Sequence, residues 1–294
     1  MKKLNNATGG RLALLTAALI WGSSFIIMKD TLNTIPVFQL LAIRFTLGGL
    51  LLAVVFRKRL MQSKPALVGH GAVCAVFLLA AYATQTYGLM TTSPGTNAFL
   101  TAVYCVIVPF MAWAFYRKRP TVYNWAAAAM CIAGIGLISL SGDLSLGVGE
   151  ALTLLSGLLY ALHIMCLSRY GESDDPIALT IVQFFFVAVL SWICTLVVEP
   201  GSPLPPTTVW PHLLYLTVFA TAVTLVCQSV GQSLTPPSQS AILLSLESVF
   251  GAFFSVLLGM ETLTLPILCG FTLVFVSVIV SETQLSFLRH SKKT

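Results

Sequence analysis

The sequence predicts an all-α membrane protein: ten transmembrane helices arranged as two inverted five-helix repeats around a central cavity. Three observations carry that prediction. Of the 294 residues, 57% are hydrophobic and 9% charged, with a mean hydropathy of +0.90, whereas a soluble domain carries about 25% charged residues. Ten apolar runs follow one another with short connections, each about 20 residues long, enough to cross roughly 30 Å of hydrocarbon. Lastly, Gln85 to Leu100 reads QTYGLMTTSPGTNAFL and Gln228 to Leu243 reads QSVGQSLTPPSQSAIL. Without gaps this match pairs Gln85 with Gln228, Gly88 with Gly231, Thr92 with Thr235 and Pro94 with Pro237.

The first run, Leu12 to Met28, follows Lys2, Lys3 and Arg11 as a signal sequence would. No small-x-small cleavage site comes after it, and the chain continues through Lys29 and Asp30, so a retained helix is expected. The second, Val37 to Phe56, starts after Pro36 and carries Arg44; the third is Leu67 to Tyr87. The fourth, Gly95 to Tyr116, opens after Pro94 and contains Pro109, whose missing N–H should bend it. Its repeat partner is Ala252, so the halves cannot be perfect copies. Tyr123 to Leu140 and Gly149 to Ser168 are the fifth and sixth, on either side of a boundary that divides the chain into residues 1–143 and 144–294. Ile177 to Val198 starts behind Pro176, and the Pro-rich stretch Pro200 to Pro206 is a stiff connector to Trp210 to Leu234. Ser238 to Leu258 and Thr264 to Ser281 complete the set. Weaker echoes, at an offset near 140, place Trp21 opposite Tyr160, Pro36 opposite Pro176 and Thr121 opposite Thr264.

Charge sets the orientation. Lys2, Lys3 and Arg11 precede the first run; Arg57, Lys58, Arg59 and Lys64 follow the second; Arg117, Lys118 and Arg119 follow the fourth; Arg169 follows the sixth; Arg289, Lys292 and Lys293 lie in the tail. The positive-inside rule puts both termini in the cytoplasm of a cell (inner or plasma) membrane. The net charge of +6 is thereby read as juxtamembrane clusters facing anionic lipid, not as a nucleic-acid surface. The seven cysteines have no CxxC pair and no histidine at metal-ligand spacing, so neither a metal nor a cofactor is expected. Five runs per half is an odd number, so the second half enters the membrane from the opposite face. Two similar halves of opposite orientation can exchange conformations around a midplane site, the geometry of alternating access.

Certain residues carry a family likeness: WGSSF in the first run, Arg44-Phe45 in the second, the block from Gln85 through Pro109, Leu246-Glu247-Ser248-Val249, and Gly259 to Glu261. In this order and over the whole chain they resemble the drug/metabolite transporter superfamily, EamA-like branch. The resemblance implies a compact ten-helix bundle whose cavity is lined mainly by spans one to four and six to nine. It also implies export or exchange of small metabolites, commonly amino acids. Ser248 stands where many relatives carry proline, which puts a kink in the ninth span in question.

Polar groups inside the spans are the candidates for binding or gating. Glu247 lies near the bilayer centre, where a lipid-exposed charge costs on the order of 3 kcal/mol, so it must face inward. It is read either as a proton-coupling or substrate-amine site or as an interhelical hydrogen bond. Arg44 stays charged in any environment; it either binds a substrate carboxylate or phosphate, or clamps helices together. His163, of a type that ordinarily titrates near neutrality, is either functional or simply hydrogen-bonded. The repeat pairs Gln85 and Gln228, whose amides either meet substrate or tie helices, and the inverted topology puts them near opposite faces. Trp21, Tyr82, Tyr104 and Tyr160 form either an aromatic lining or packing.

The sequence thus favours a secondary transporter of small polar or amphipathic metabolites, with protons as a candidate coupling ion. A sugar-phosphate or nucleotide-sugar exchanger is the alternative, disfavoured by having Arg44 as the sole interior cation. A passive channel stays open. An enzyme is not expected: the spans hold no GxSxG with a histidine, no HExxH and no paired aspartates, and no GxxxxGK[ST] loop supports a pump.

Overall fold

A computed structural model of the chain describes residues 2–117, 119–139, 147–171, 173–235 and 237–284. The boundary expected between residues 143 and 144 lies outside them. Every apolar run is helical: α1 (Lys2–Thr31), α2 (Val37–Val55), a short α3 (Arg57–Met61), α4 (Ala66–Thr91), α5 (Pro94–Thr101), α6 (Tyr104–Tyr116), α7 (Val122–Ser139), α8 (Val148–Gly171), α9 (Pro176–Val198), α10 (Trp210–Leu214), α11 (Thr224–Leu234), α12 (Pro237–Leu257) and α13 (Leu265–Thr283). No strand occurs among the described residues. Seven helical stretches are long and apolar enough to cross a membrane, counting α5 with α6 as one and Thr207–Gly231 as another. The apolar parts of the other three, Val122–Ile138, Leu243–Leu257 and Leu265–Ser281, are shorter.

Proline and capping residues set the starts. Ser93 precedes Pro94 and accepts the Thr96 N–H, while Asp175 precedes Pro176 and accepts those of Ile177 and Ala178. Proline suits the first turn because its missing N–H would have no intrahelical partner there. The N-terminus of α2 is capped from a distance: the Glu199 carboxylate, just past α9, accepts the N–H groups of Phe38 (2.9 Å) and Gln39 (3.1 Å). Between α12 and α13 the chain turns at Gly259, whose φ of +68° is open to glycine without strain.

Two spans are interrupted. At Ala102–Val103 helix α5 gives way to α6, with Cys105 and Val106 bonding three residues back instead of four. Pro109 lies within α6, where its missing N–H leaves the Cys105 carbonyl in the first turn of that helix without its four-back partner. The expected bend is a break. The stretch Tyr215–Val223 is π-helical, with the Thr224 N–H reaching the Phe219 carbonyl five residues back. No such break interrupts α12, in which Ser248 bonds the Ser245 carbonyl.

Glycines bring helix backbones together. A Cβ on Gly88 of α4 would lie 2.8 Å from the Gly149 carbonyl of α8, and one on Gly231 of α11 would lie 3.0 Å from the Gly10 carbonyl of α1. Helix α7 meets α13 in the same way at Gly134 and Gly270, and α2 packs along α9 through Phe45 and Phe184, whose rings are 5.0 Å apart. Large apolar side chains such as Ile132 (70% exposed) and Leu196 (75%) cover the outside. Such a girdle is compatible with lipid and not with water.

Candidate functional site

Six of the nine residues singled out from sequence converge in the middle of the bundle. Arg44, on the buried face of α2, is 2% exposed. Its Nε and Nη2 donate to the Thr221 hydroxyl (3.3 and 3.0 Å), and its guanidinium carbon lies 5.5 Å from the centre of the Tyr82 ring. Nη1 faces the Met28 sulfur at 3.3 Å. No ion pair neutralises this guanidinium among the described residues, and no other Lys or Arg among them is buried.

Next to Tyr82 the ring of Tyr160 packs edge-on at 5.6 Å, and that of Tyr104 lies 6.5 Å beyond. The Tyr104 hydroxyl donates to Glu247 Oε1 at 3.4 Å, and Glu247 is 7% exposed. The Tyr160 hydroxyl donates to Gln85 Oε1 (2.9 Å), and Gln85 Nε2 donates to the Thr101 hydroxyl (3.1 Å) at the end of α5. Gly157 lets α8 approach the interrupted span closely: a Cβ there would be 3.2 Å from the Thr101 carbonyl. The result is a guanidinium and a carboxyl group held apart by three tyrosines, beside a broken helix. A buried guanidinium without a counter-ion attracts an anionic group, and an aromatic surface ending in a carboxyl group accepts a cationic one.

The other three residues lie apart. His163 Nε2 pairs with Gln183 Oε1 at 2.9 Å, tying α8 to α9. Gln228 is half-buried on α11 and has no hydrogen-bond partner among the described residues. Trp21 donates its indole N–H to the Ala220 carbonyl (3.0 Å) in the π-helical stretch.

The remainder of WGSSF is also legible in three dimensions. A Cβ on Gly22 would lie 2.9 Å from the Glu247 carbonyl, so this glycine lets α1 sit against α12. Ser23 shares a 2.6 Å hydrogen bond with the Tyr215 hydroxyl, and Ser24 bonds back to Trp21. Thr221, Thr101 and Gln183 escaped sequence reading. Threonines and glutamines among apolar residues give no signal until a partner from another helix is known.

At the bundle end reached by Lys29, side chains cap helix termini. The Lys29 ammonium donates to the carbonyls of Leu89, Met90 and Thr92 at 2.7 to 3.0 Å, closing the C-terminus of α4. Glu261 accepts from Ser93 and Thr96 over the start of α5, where Gly95 leaves room for it. Cations at helix C-termini and anions at N-termini are each favoured by the helix dipole. At the other end Arg59 pairs with Asp175 (3.1 Å) and His70 with Asp174 (2.6 Å).

An uncharacterized transporter of Archaeoglobus fulgidus is 31% identical over 273 residues, 92% of this chain and 84% of the relative. An uncharacterized transporter of Bacillus subtilis, YoaV, is 22% identical over 272 residues, 90% and 93% of the two chains. The crystal structure of another protein superposes with a TM-score of 0.71, covering 96% of this chain and 99% of its own at 15% identity, a likeness of fold alone. The model of the EamA-like transporter family matches twice, over residues 8–140 and 147–283. This multi-pass membrane protein belongs to the EamA-like transporter family.

Proposed function

We propose that the protein is a secondary transporter that moves a small zwitterionic or amphipathic metabolite, an amino acid or a relative of one, by alternating access. Its ten helical spans act as two inverted repeats of five, with both termini cytoplasmic and export as the working direction. One observation carries this reading. The strong match pairs Gly88 with Gly231, the weaker echo of the first and sixth runs sets Gly10 against Gly149, and the two glycine crossings, Gly88 with Gly149 and Gly231 with Gly10, each join one member of both pairs.

Other pairings support it. Tyr104 corresponds to Glu247, and the two touch; a contact between equivalent positions is what a twofold axis through the site requires. Helices α2 with α9, α7 with α13, and α5 with α12 pack as equivalent partners, and the family model matches each half separately. Discontinuous helices beside a midplane site are a feature of carriers built from inverted repeats. A single buried guanidinium suits one carboxylate better than the several charges of a sugar phosphate or nucleotide sugar, and Glu247 stands ready for an amine or a coupling proton.

The test is a thermal-shift screen of purified protein against amino acids, amines, sugars and nucleosides, followed by counterflow in proteoliposomes. A zwitterion that stabilises the wild type but not Arg44→Gln or Glu247→Ala, and whose labelled influx is accelerated by unlabelled solute inside, supports the proposal. Flux without trans-acceleration indicates a pore and overturns it.

A further inference from the structure

Among the described residues the π-helical stretch Tyr215–Val223 is the only departure from α-helical or tighter bonding within a helical span, and three side chains from other helices bind it. Arg44 donates twice to the Thr221 hydroxyl, Trp21 donates to the Ala220 carbonyl, and Ser23 bonds the Tyr215 hydroxyl. The Thr221 hydroxyl in turn donates to the Leu216 carbonyl five residues back (2.8 Å), repeating the π-helical spacing with a side chain. Bonding five residues back is less favourable than the α-helical pattern and persists where tertiary contacts hold it. The first half supplies an internal comparison. Aligned on Gln85 and Gln228, position 221 corresponds to Leu78, which has no hydroxyl and lies within the unbroken α4.

We propose that Thr221 is a positioning residue for Arg44 and that the two together set the register of this span, making Tyr215–Val223 a joint between the central site and the far end of α11. The inference rests on the reading that Arg44 belongs to the transport site. Rewinding the stretch to α-helix removes one residue from a turn and rotates the segment after it by about 100°, one residue's share of a 3.6-residue turn. Cys227, Gln228 and Gly231 ride on that segment. Gly231 would then swing away from Gly10, separating α11 from α1 at the end opposite Lys29. A carboxylate offers the guanidinium two charge-assisted hydrogen bonds where the hydroxyl offers one neutral acceptor. An anionic group entering the site therefore takes Arg44 from Thr221 and frees the joint.

Cys227 is a native reporter, half-buried three residues past α11's start, and the exposed Cys269 is an internal standard. Full-length protein in proteoliposomes is treated with N-ethylmaleimide, and modification at each cysteine is followed by peptide mass spectrometry. Thr221→Val, which keeps shape and loses the hydroxyl, should change the Cys227 rate relative to Cys269 by at least about fivefold, the factor expected for loss of one hydrogen bond. Thr221→Ser should stay within about twofold of wild type. Trp21→Phe, which frees the Ala220 carbonyl, should shift the rate in the same direction as the valine variant and decides the matter if that variant does not fold. Wild-type rates in both altered proteins, with unchanged unfolding temperatures, overturn the proposal. The assay needs no substrate, so it can fail while the transport reading stands, or hold while that reading fails.

Discussion

Replacing Gly88 by alanine puts the packing of α4 on α8 to a quantitative test. The added Cβ would sit 2.8 Å from the Gly149 carbonyl and 3.1 Å from the Thr153 N–H nitrogen, where ordinary contact begins at 3.4 Å. Both are backbone atoms, so the helices must part by about half an ångström, a gap that forfeits a quarter or more of each dispersion contact along the seam. The Thr153 hydroxyl lies closest of all to the new atom. Moving it breaks its 2.7 Å bond from Asn97, which also donates to Thr92. Overpacking of this kind costs about 1–3 kcal/mol, a lost hydrogen bond about 1 kcal/mol, and alanine returns up to ~1 kcal/mol of helix propensity. The net expectation is a loss of about 2 kcal/mol, a fall of about 3 °C in thermal midpoint for a chain of this length. Gly69→Ala, on the same helix with nothing within 4 Å of its Cβ, is the control, and it should be neutral or stabilising by up to ~1 kcal/mol. Thermal unfolding in detergent reads both. If Gly88→Ala is tolerated as well as Gly69→Ala, the close crossing is wrong, and with it the symmetry built on it.

Lys29→Met removes the ammonium from three carbonyls at the end of α4 and should cost about 1–2 kcal/mol, read as a lower thermal midpoint. Gln85→Leu should cost about 1–3 kcal/mol because it strips partners from the hydroxyls of half-buried Tyr160 and buried Thr101, whereas Gln228→Leu should stay within about 0.5 kcal/mol; equal effects would contradict the difference between the two sites. Glu247→Gln keeps a group of the same shape without a titratable proton. In proteoliposomes it should retain counterflow and lose accumulation driven by a pH gradient, and accumulation equal to wild type would remove protons from the mechanism.

Much of the architecture was legible because membrane folding leaves strong marks: long apolar runs, prolines at helix starts, and basic clusters between them. Val37 to Phe56 became Val37–Val55, whereas Leu12 to Met28 lies within the longer Lys2–Thr31 and Gly95 to Tyr116 is divided between two helices. The meeting of Arg44, Tyr82, Gln85, Tyr104 and Glu247 was foreseeable as a set of residues but not as a geometry, since each is simply a polar group that lipid will not accept. Trp21 shows what was missing. Nothing in WGSSF announces that its indole meets a backbone carbonyl, because that carbonyl becomes available where another span departs from α-helical bonding. Likewise Thr221 acquires meaning only from Arg44, 177 positions away.

The scaffold repeats while the chemistry at its centre does not, and the difference bears on transport. The family model matches each half, and the proposed repeat pairs Trp21 with Tyr160, Gln85 with Gln228 and Tyr104 with Glu247. Yet the carboxyl group stands on one side of the Tyr104–Glu247 contact, and the guanidinium belongs to α2, with no cation at the matching place in α9. One half breaks its span near Pro109, the other opens a π-helical stretch near Thr221. Two identical halves would make the outward-open and inward-open forms equal in energy and would present a substrate with two equivalent orientations. Under the proposed function the site offers a zwitterion one orientation, anionic end toward Arg44 and cationic end toward Glu247. In that reading each end meets a different irregular segment, and the two gates proposed for alternating access answer to different parts of the solute. Exchanging the charges, with Arg44→Glu and Glu247→Arg in one chain, tests that directly. If the scaffold symmetry alone governed transport, the double variant would carry the same solute. With an oriented site it fails to do so by at least about a hundredfold, because a lost or reversed buried charge contact costs on the order of 3 kcal/mol or more.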